Sequence, residues 1–140
     1  MQPELGIVEG FFGRPWPWQA RRAAVAMLSS RGYRFYLYAP KADASLRRDW
    51  RSPLAHPEEL ADLARHCAAQ GVRLGIGLTP FGAHLSFGVE ERAALADKIA
   101  ELDATGATEL AILFDDIDGG PDDLARRQAA IVEFAAERSR

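Results

Sequence analysis

Two adjacent aspartates close an apolar run: Leu110-Ala111-Ile112-Leu113-Phe114 leads directly into Asp115-Asp116. A strand over the run delivers both carboxylates to a sheet edge. Two close carboxylates resist double ionisation, so one of them can hold a proton near neutral pH, which suits general acid and base work. Consecutive strand residues point to opposite faces, so both reach one pocket only if the strand ends between them. A helix cap or a solvated turn is the plain alternative for either residue. Lys41, after Tyr36-Leu37-Tyr38-Ala39-Pro40, is a further candidate. Its ammonium can hydrogen-bond a hydroxyl or neutralise a carboxylate, or simply be solvated. Gly10 and Gly13 allow a ligand to approach the backbone closely, or only a tight turn. Glu9 reads as mid-strand, with Arg14 as its candidate partner. Trp16, Trp18 and Trp50 suit stacking on a flat ligand face or ordinary packing, and Cys67 reads as core.

These side chains need a scaffold, and the pattern supplies one. Leu5 to Phe12, Phe35 to Ala39, Val72 to Leu78 and Leu110 to Phe114 read as short strands, mostly apolar on both alternating faces. Between them Leu60, Leu63, Ala64 and Cys67, then Leu95, Ile99 and Leu102, then Leu124, Ile131 and Phe134 fall on helical stripes. A first helix, less cleanly patterned, spans about Pro17 to Ser30. Pro57-Glu58-Glu59 and Pro121-Asp122-Asp123 read as first helical turns, and Gly32, Gly71 and Gly106 as left-handed helix stops. A βα unit of roughly 35 residues therefore repeats four times, which predicts an α/β fold with a parallel sheet. A (β/α)₈ barrel takes about 250 residues, so four units make half of one. A small open parallel sheet is the alternative. In either fold the chemistry belongs at the C-terminal ends of the strands, where Gly10, Lys41, Thr79 and Asp115-Asp116 all fall.

Composition bounds the rest. The chain has 140 residues, 48% hydrophobic and 26% charged, which fits one globular unit and excludes a disordered or fibrous chain. Seventeen basic and twenty acidic residues give a net charge of -3 with no Lys/Arg block, which argues against a nucleic-acid partner. No apolar run approaches the roughly 18 residues needed to span a bilayer, so no membrane role is expected. Met1-Gln2-Pro3-Glu4 lacks a basic start and apolar middle, which predicts a cytoplasmic protein without a leader. The single cysteine and the scattered His56, His66 and His84 predict no disulfide and no structural zinc. No linker divides the chain, so residues 1–140 read as a single partial domain. It ends at Ser139-Arg140 with the fourth helical pattern still running, which predicts a truncation.

Asp116-Ile117-Asp118-Gly119 after an apolar strand looks like the first motif of haloacid-dehalogenase-type phosphatases, which would use Asp116 and Asp118 with Mg²⁺. That motif sits near its family's N-terminus, with a lysine and more acids downstream, so the likeness is set aside. A stronger resemblance covers nearly the whole chain. Gly6-Ile7-Val8-Glu9-Gly10-Phe11-Phe12-Gly13-Arg14-Pro15-Trp16, then Tyr36-Leu37-Tyr38-Ala39-Pro40-Lys41, then Leu113-Phe114-Asp115-Asp116-Ile117 resemble glycoside hydrolase family 84. That family comprises β-N-acetylglucosaminidases, including protein O-GlcNAcases and enzymes once called hyaluronidases.

The resemblance implies the first half of a TIM-type barrel. It also implies retaining, substrate-assisted hydrolysis of terminal β-linked N-acetylglucosamine, a departure from the usual two-carboxylate scheme. Carried over by position, Asp115 orients the substrate's acetamido N–H, and Asp116 is general acid and then base. Lys41 and the Gly10 carbonyl hold sugar hydroxyls. No metal or organic cofactor is implied. The partner implied is a glycan or glycoprotein bearing N-acetylglucosamine, with protein, peptidoglycan fragment and glycosaminoglycan all open as its remainder. Phe12, Ala42 and Thr79-Pro80-Phe81 depart from the commoner family residues. The family's further asparagine, aspartate and tyrosine ligands come from strands after the fourth, so half a barrel is expected to be a poor glycosidase. It is also expected to self-associate through its open sheet edges.

Overall fold

Arg73–Leu78 shows why the sheet forms where it does. Its alternate residues Leu74, Ile76 and Leu78 are buried towards the helices, while Gly75 and Gly77 lie on the other face, close to Leu37 and to Ala39 and Leu113. In the computed structural model, which describes residues 3–139, this segment is β3. Its neighbours are β1 (Gly6–Glu9), β2 (Phe35–Tyr38) and β4 (Glu109–Ile112). The helices are α1 (Trp18–Ser30), α2 (Pro57–Ala69), α3 (Val89–Ala104) and α4 (Leu124–Ala136). The strands lie in the order β1-β2-β3-β4, all parallel, with Gly6 opposite Phe35, Phe35 opposite Arg73 and Gly75 opposite Glu109. Each crossover moves one strand in the same direction, as in a barrel wall; a doubly wound sheet would reverse.

The predicted stripes are the buried ones. Val25 and Leu28 of α1, Leu60, Leu63 and Cys67 of α2, and Leu95, Ile99 and Leu102 of α3 share one core with Ile131 and Phe134 of α4 and with Tyr36, Leu74, Ile76 and Leu78. Burial pushes the Cys67 thiol up to about 11, so it behaves as a small apolar side chain. Gly71 follows α2 with φ 67°, a left-handed stop that a side chain would resist; Gly32 and Gly106 repeat it at 76° and 81°. Among the described residues no helix is long and apolar enough to cross a membrane.

Several boundaries differ from the sequence reading. The first strand stops at Glu9 instead of Phe12, because the chain leaves the sheet towards the turn at Gly13, φ 106°. The fourth strand stops at Ile112 instead of Phe114, the last ladder bond there being Leu113 N–H to Leu78 O. Pro121–Asp123 is a turn before α4, not its first turn, and α4 ends at Ala136, short of Ser139. The expectation of strands covered on both faces fails at β1, whereas β3 is buried on both. Val8 of β1 is 56% exposed, and Leu5 just before it 57%, because only the helix side of the sheet has a layer over it there.

Glu9 puts a charge at the heart of the strand–helix layer. It is the last residue of β1, fully buried, and its partner is Arg21 of α1, not Arg14. The reason is direction: Glu9 points to the helix side, where α1 packs, whereas Arg14 lies exposed in the loop. Arg21 Nε donates to both Glu9 oxygens at 3.1 and 2.9 Å, its second nitrogen donates at 2.8 Å, and the Tyr36 hydroxyl donates at 2.6 Å. Burial, with the Glu9 carboxylate behind it, holds the Tyr36 hydroxyl far above a phenol's usual range, so it remains a donor.

Two outcomes follow. Glu9→Gln leaves a buried guanidinium uncompensated and is expected to cost about 3–5 kcal/mol in urea unfolding, with Glu9→Gln/Arg21→Met recovering part of the loss; an unchanged midpoint for the single variant contradicts this account. Residues 1–140 taken alone, with β1 and β4 each paired on one side only, are expected to self-associate at micromolar concentration. Sedimentation velocity showing a clean monomer rules that out.

Candidate active site

The loop after β2 is built by its own polar residues. Asp43 caps a short 3₁₀ turn, Ala44–Leu46, accepting from Ser45 N–H at 3.1 Å and Ser45 Oγ at 2.6 Å. The Tyr38 hydroxyl donates to the other Asp43 oxygen at 3.0 Å. Burial and the Asp43 carboxylate hold that hydroxyl well above its usual range, so it stays protonated as a donor. Leu46 O accepts from Thr79 N–H at 2.8 Å, which ties this turn to the end of β3. Lys41 and Arg47 thus flank a fixed turn, and both point to the end of β4.

Asp115 and Asp116 stand there, in the turn that follows Leu113 and Phe114 after β4. The strand has ended before them, so alternation no longer sends them to opposite faces. Asp116 has φ 58°, the left-handed region that aspartate tolerates better than most residues. That conformation brings both carboxylates to the same two cations. Lys41 Nζ makes an ion pair with Asp115 Oδ2 and lies 3.5 Å from Asp116 Oδ2. Arg47 reaches Asp115 Oδ2 at 3.4 Å with one nitrogen and Asp116 Oδ2 at 3.1 Å with another. The Thr79 hydroxyl donates to Asp115 Oδ1 at 3.2 Å and accepts from Arg47 at 3.4 Å. Two positive groups therefore face two negative ones, and the repulsion expected between the aspartates is offset in this arrangement.

The cluster is graded in exposure. The Lys41 and Arg47 side chains are 12% and 10% exposed, Asp115 39% and Asp116 51%. The cations form the floor and Asp116 the part that meets solvent. Lys41 also lies 5.6 Å from the ring centre of Phe12, which is itself open to solvent. Gly10 follows β1 at the same edge. It has no positive φ, and a Cβ there meets only Val8 at 3.4 Å, so the fold itself asks little of glycine at this position.

Of the residues singled out in the sequence, Lys41, Asp115 and Asp116 come together, with Gly10 on the same rim. Thr79, at its strand end, joins the cluster without a role expected of it, and Arg47 completes it with no signal in the sequence. Nothing local separates Arg47 from its neighbour Arg48, and Thr79 stood out only as an uncommon residue at a strand end. The tryptophans are mainly packing. Trp50 is buried and donates its indole N–H to Phe81 O at 2.9 Å, and Trp18 stacks on the Tyr38 ring with the Arg21 guanidinium against both rings. Trp16, 37% exposed, tilts against Phe11. With Arg14, Trp18, Asp43 and His56 it lines a cavity of about 660 Å³ that neither Asp115 nor Asp116 lines. Asp118, the second acid of the phosphatase-like motif, accepts from Gly120 N–H in its own turn at 3.1 Å.

A family model described as beta-N-acetylglucosaminidase matches residues 5–138. Protein O-GlcNAcase of Rattus norvegicus and that of Mus musculus are each 33% identical over 116 residues, covering 81% of this chain and 13% of theirs. A solved structure of CpGH84B superposes with a TM-score of 0.85 at 27% identity, over 96% of this chain and 24% of that one. The chain thus spans about a quarter or less of the relatives it matches. Its singly wound parallel units agree with the expected half of a TIM-type barrel, and the match from residue 5 to residue 138 decides the family: the chain belongs to the β-N-acetylglucosaminidases of glycoside hydrolase family 84.

Proposed function

We propose that the protein containing this chain hydrolyses terminal β-linked N-acetylglucosamine with retention, and that Asp115 and Asp116 carry the chemistry. The observation behind this reading is the pairing of both carboxylates with Lys41 at the C-terminal edge, beside Gly10. The substrate's 2-acetamido oxygen attacks the anomeric carbon as the bond to the leaving oxygen breaks, giving an oxazoline. Asp115 accepts the acetamido N–H and orients that group. Asp116, the more exposed of the two, gives its proton to the leaving oxygen and then takes one from the water that opens the oxazoline. Lys41, low on the floor of the rim, turns from Asp115 to a sugar hydroxyl, and the Gly10 carbonyl accepts from another. No external nucleophile is needed, so two neighbouring carboxylates with separate duties suffice.

The complete gene product, assayed on aryl N-acetyl-β-glucosaminides, tests the roles. Asp116→Ala is expected to lower kcat/KM by about 10²–10⁴ for a poor leaving group and much less for a good one, since only the former needs a proton. Asp115→Asn is expected to slow every substrate. Full activity of Asp116→Ala on a poor leaving group overturns the assignment, as does an unaffected Asp115→Asn or EDTA-sensitive phosphate release.

Residues 1–140 alone bring only part of the sugar's hydrogen-bond partners. They are expected to turn over the same substrate about 10⁴-fold more slowly than an eight-stranded family member. Comparable turnover by the isolated chain contradicts this.

A further inference from the structure

We infer that Arg47 is the positioning residue of the aspartate pair, holding Asp115 and Asp116 in place while Lys41 moves to the sugar; the inference rests on the glycosidase reading above. Arg47 and Lys41 both touch both carboxylates, but they are not equivalent. Arginine presents several donors in one rigid plane, whereas lysine is a point charge on a flexible stem. Separate nitrogens of the one guanidinium reach Asp115 at 3.4 Å and Asp116 at 3.1 Å, so its plane sets the distance between the two carboxylates. Asp116 needs such a partner, because its left-handed backbone persists only where the surroundings over-determine it.

Arg47 is also anchored where Lys41 is not. One nitrogen donates to the Thr79 hydroxyl, which donates on to Asp115 Oδ1, closing a ring of three side chains. The Phe81 ring centre lies 5.4 Å from the guanidinium carbon. The preceding residue, Leu46, is bonded through its carbonyl to Thr79 N–H. A cation this buried does not give up its counter-charges cheaply.

The charge count then changes at the right moment. Without substrate, two cations face two carboxylates. When a sugar hydroxyl takes Lys41, one cation faces the pair. In the proposed reaction Asp115 then meets the acetamido N–H and Asp116 the leaving oxygen, with Arg47 still bridging the two. Arg47 touches no substrate atom in this scheme; it acts through the aspartates.

The test uses the complete gene product as wild type, Arg47→Met, Arg47→Lys and, as control, Arg48→Met. Two readouts are taken: kcat and KM on an aryl N-acetyl-β-glucosaminide, and labelling of Asp115 and Asp116 by a water-soluble carbodiimide, read by peptide mass. Arg47→Met is expected to lower kcat about 10²-fold with KM within about twofold, because displaced catalytic groups slow chemistry without weakening sugar binding. Arg47→Lys is expected to recover roughly tenfold of that loss, since it restores charge but not the planar bridge. Labelling of both aspartates is expected to rise about tenfold in Arg47→Met and less in Arg47→Lys as the charge-assisted bonds are lost. Arg48→Met is expected to match wild type in both.

A kcat for Arg47→Met within twofold of wild type, a change in KM alone, or unchanged labelling overturns the inference. New labelling at buried Glu9 marks an unfolded variant. In that case Arg47→Lys carries both readouts, and its equality with wild type is the overturning result. A wild type without turnover sinks the glycosidase reading and, with it, the role in catalysis. Labelling then still decides whether Arg47 holds the pair.

Discussion

In a parallel sheet every strand delivers the loop that follows it to the same edge, and the register decides which residues meet there. Tyr38 lies opposite Ile76, and Leu78 opposite Ile112. Past those strand ends, Lys41, Arg47, Thr79 and Asp115 arrive at a common rim, within reach of one another although up to 74 positions separate them. A slip of β4 by one residue would turn its alternating side chains over and withdraw the aspartates from the cations. The glycines of β3 serve this register. A Cβ at Gly77 would stand 2.7 Å from Ala39 and 2.8 Å from Leu113, the residues that lead into the loops carrying Lys41 and Asp115.

Two ion clusters differ in burial, and burial gives them different work. Glu9 and Arg21 are sealed between β1 and α1, with the Tyr36 hydroxyl completing the carboxylate's bonding. Such a pair binds strand to helix and costs much if one member goes. The rim cluster has the same chemistry but an open side. Its cations are nearly covered, while half of Asp116 faces solvent. Charges that stay accessible can exchange partners with a ligand, and sealed ones cannot. Membership of a glycosidase family fits the open cluster, since a sugar offers hydroxyl and amide groups that compete for the same donors and acceptors.

Much of the architecture could be read from spacing. Leu60, Leu63 and Cys67, or Leu95, Ile99 and Leu102, have no other way to bury together than on helices. Strand ends were harder to read. Phe11 and Phe12 look like a continuation of β1, and Leu113 and Phe114 of β4, because apolar residues suit a strand and a rim equally. Glu9 was placed near Arg14 by proximity in the chain, yet a strand side chain meets what packs on its face, and α1 brings Arg21 there.

The amino-acid order by itself determined the four strand–helix units, their helical stops and the delivery of Gly10, Lys41, Asp115 and Asp116 to strand ends, since all of these follow from local periodicity. Only the tertiary structure decided which cations face the aspartates. Arg47 and Arg48 are the same residue type in the same polar loop; one is buried against Thr79 and the aspartate pair, the other is exposed. The difference comes from the Asp43 cap and the Leu46–Thr79 hydrogen bond, which set how the turn after β2 lies against the end of β3. Contacts between residues distant in the chain depend on such packing, and no local pattern encodes them.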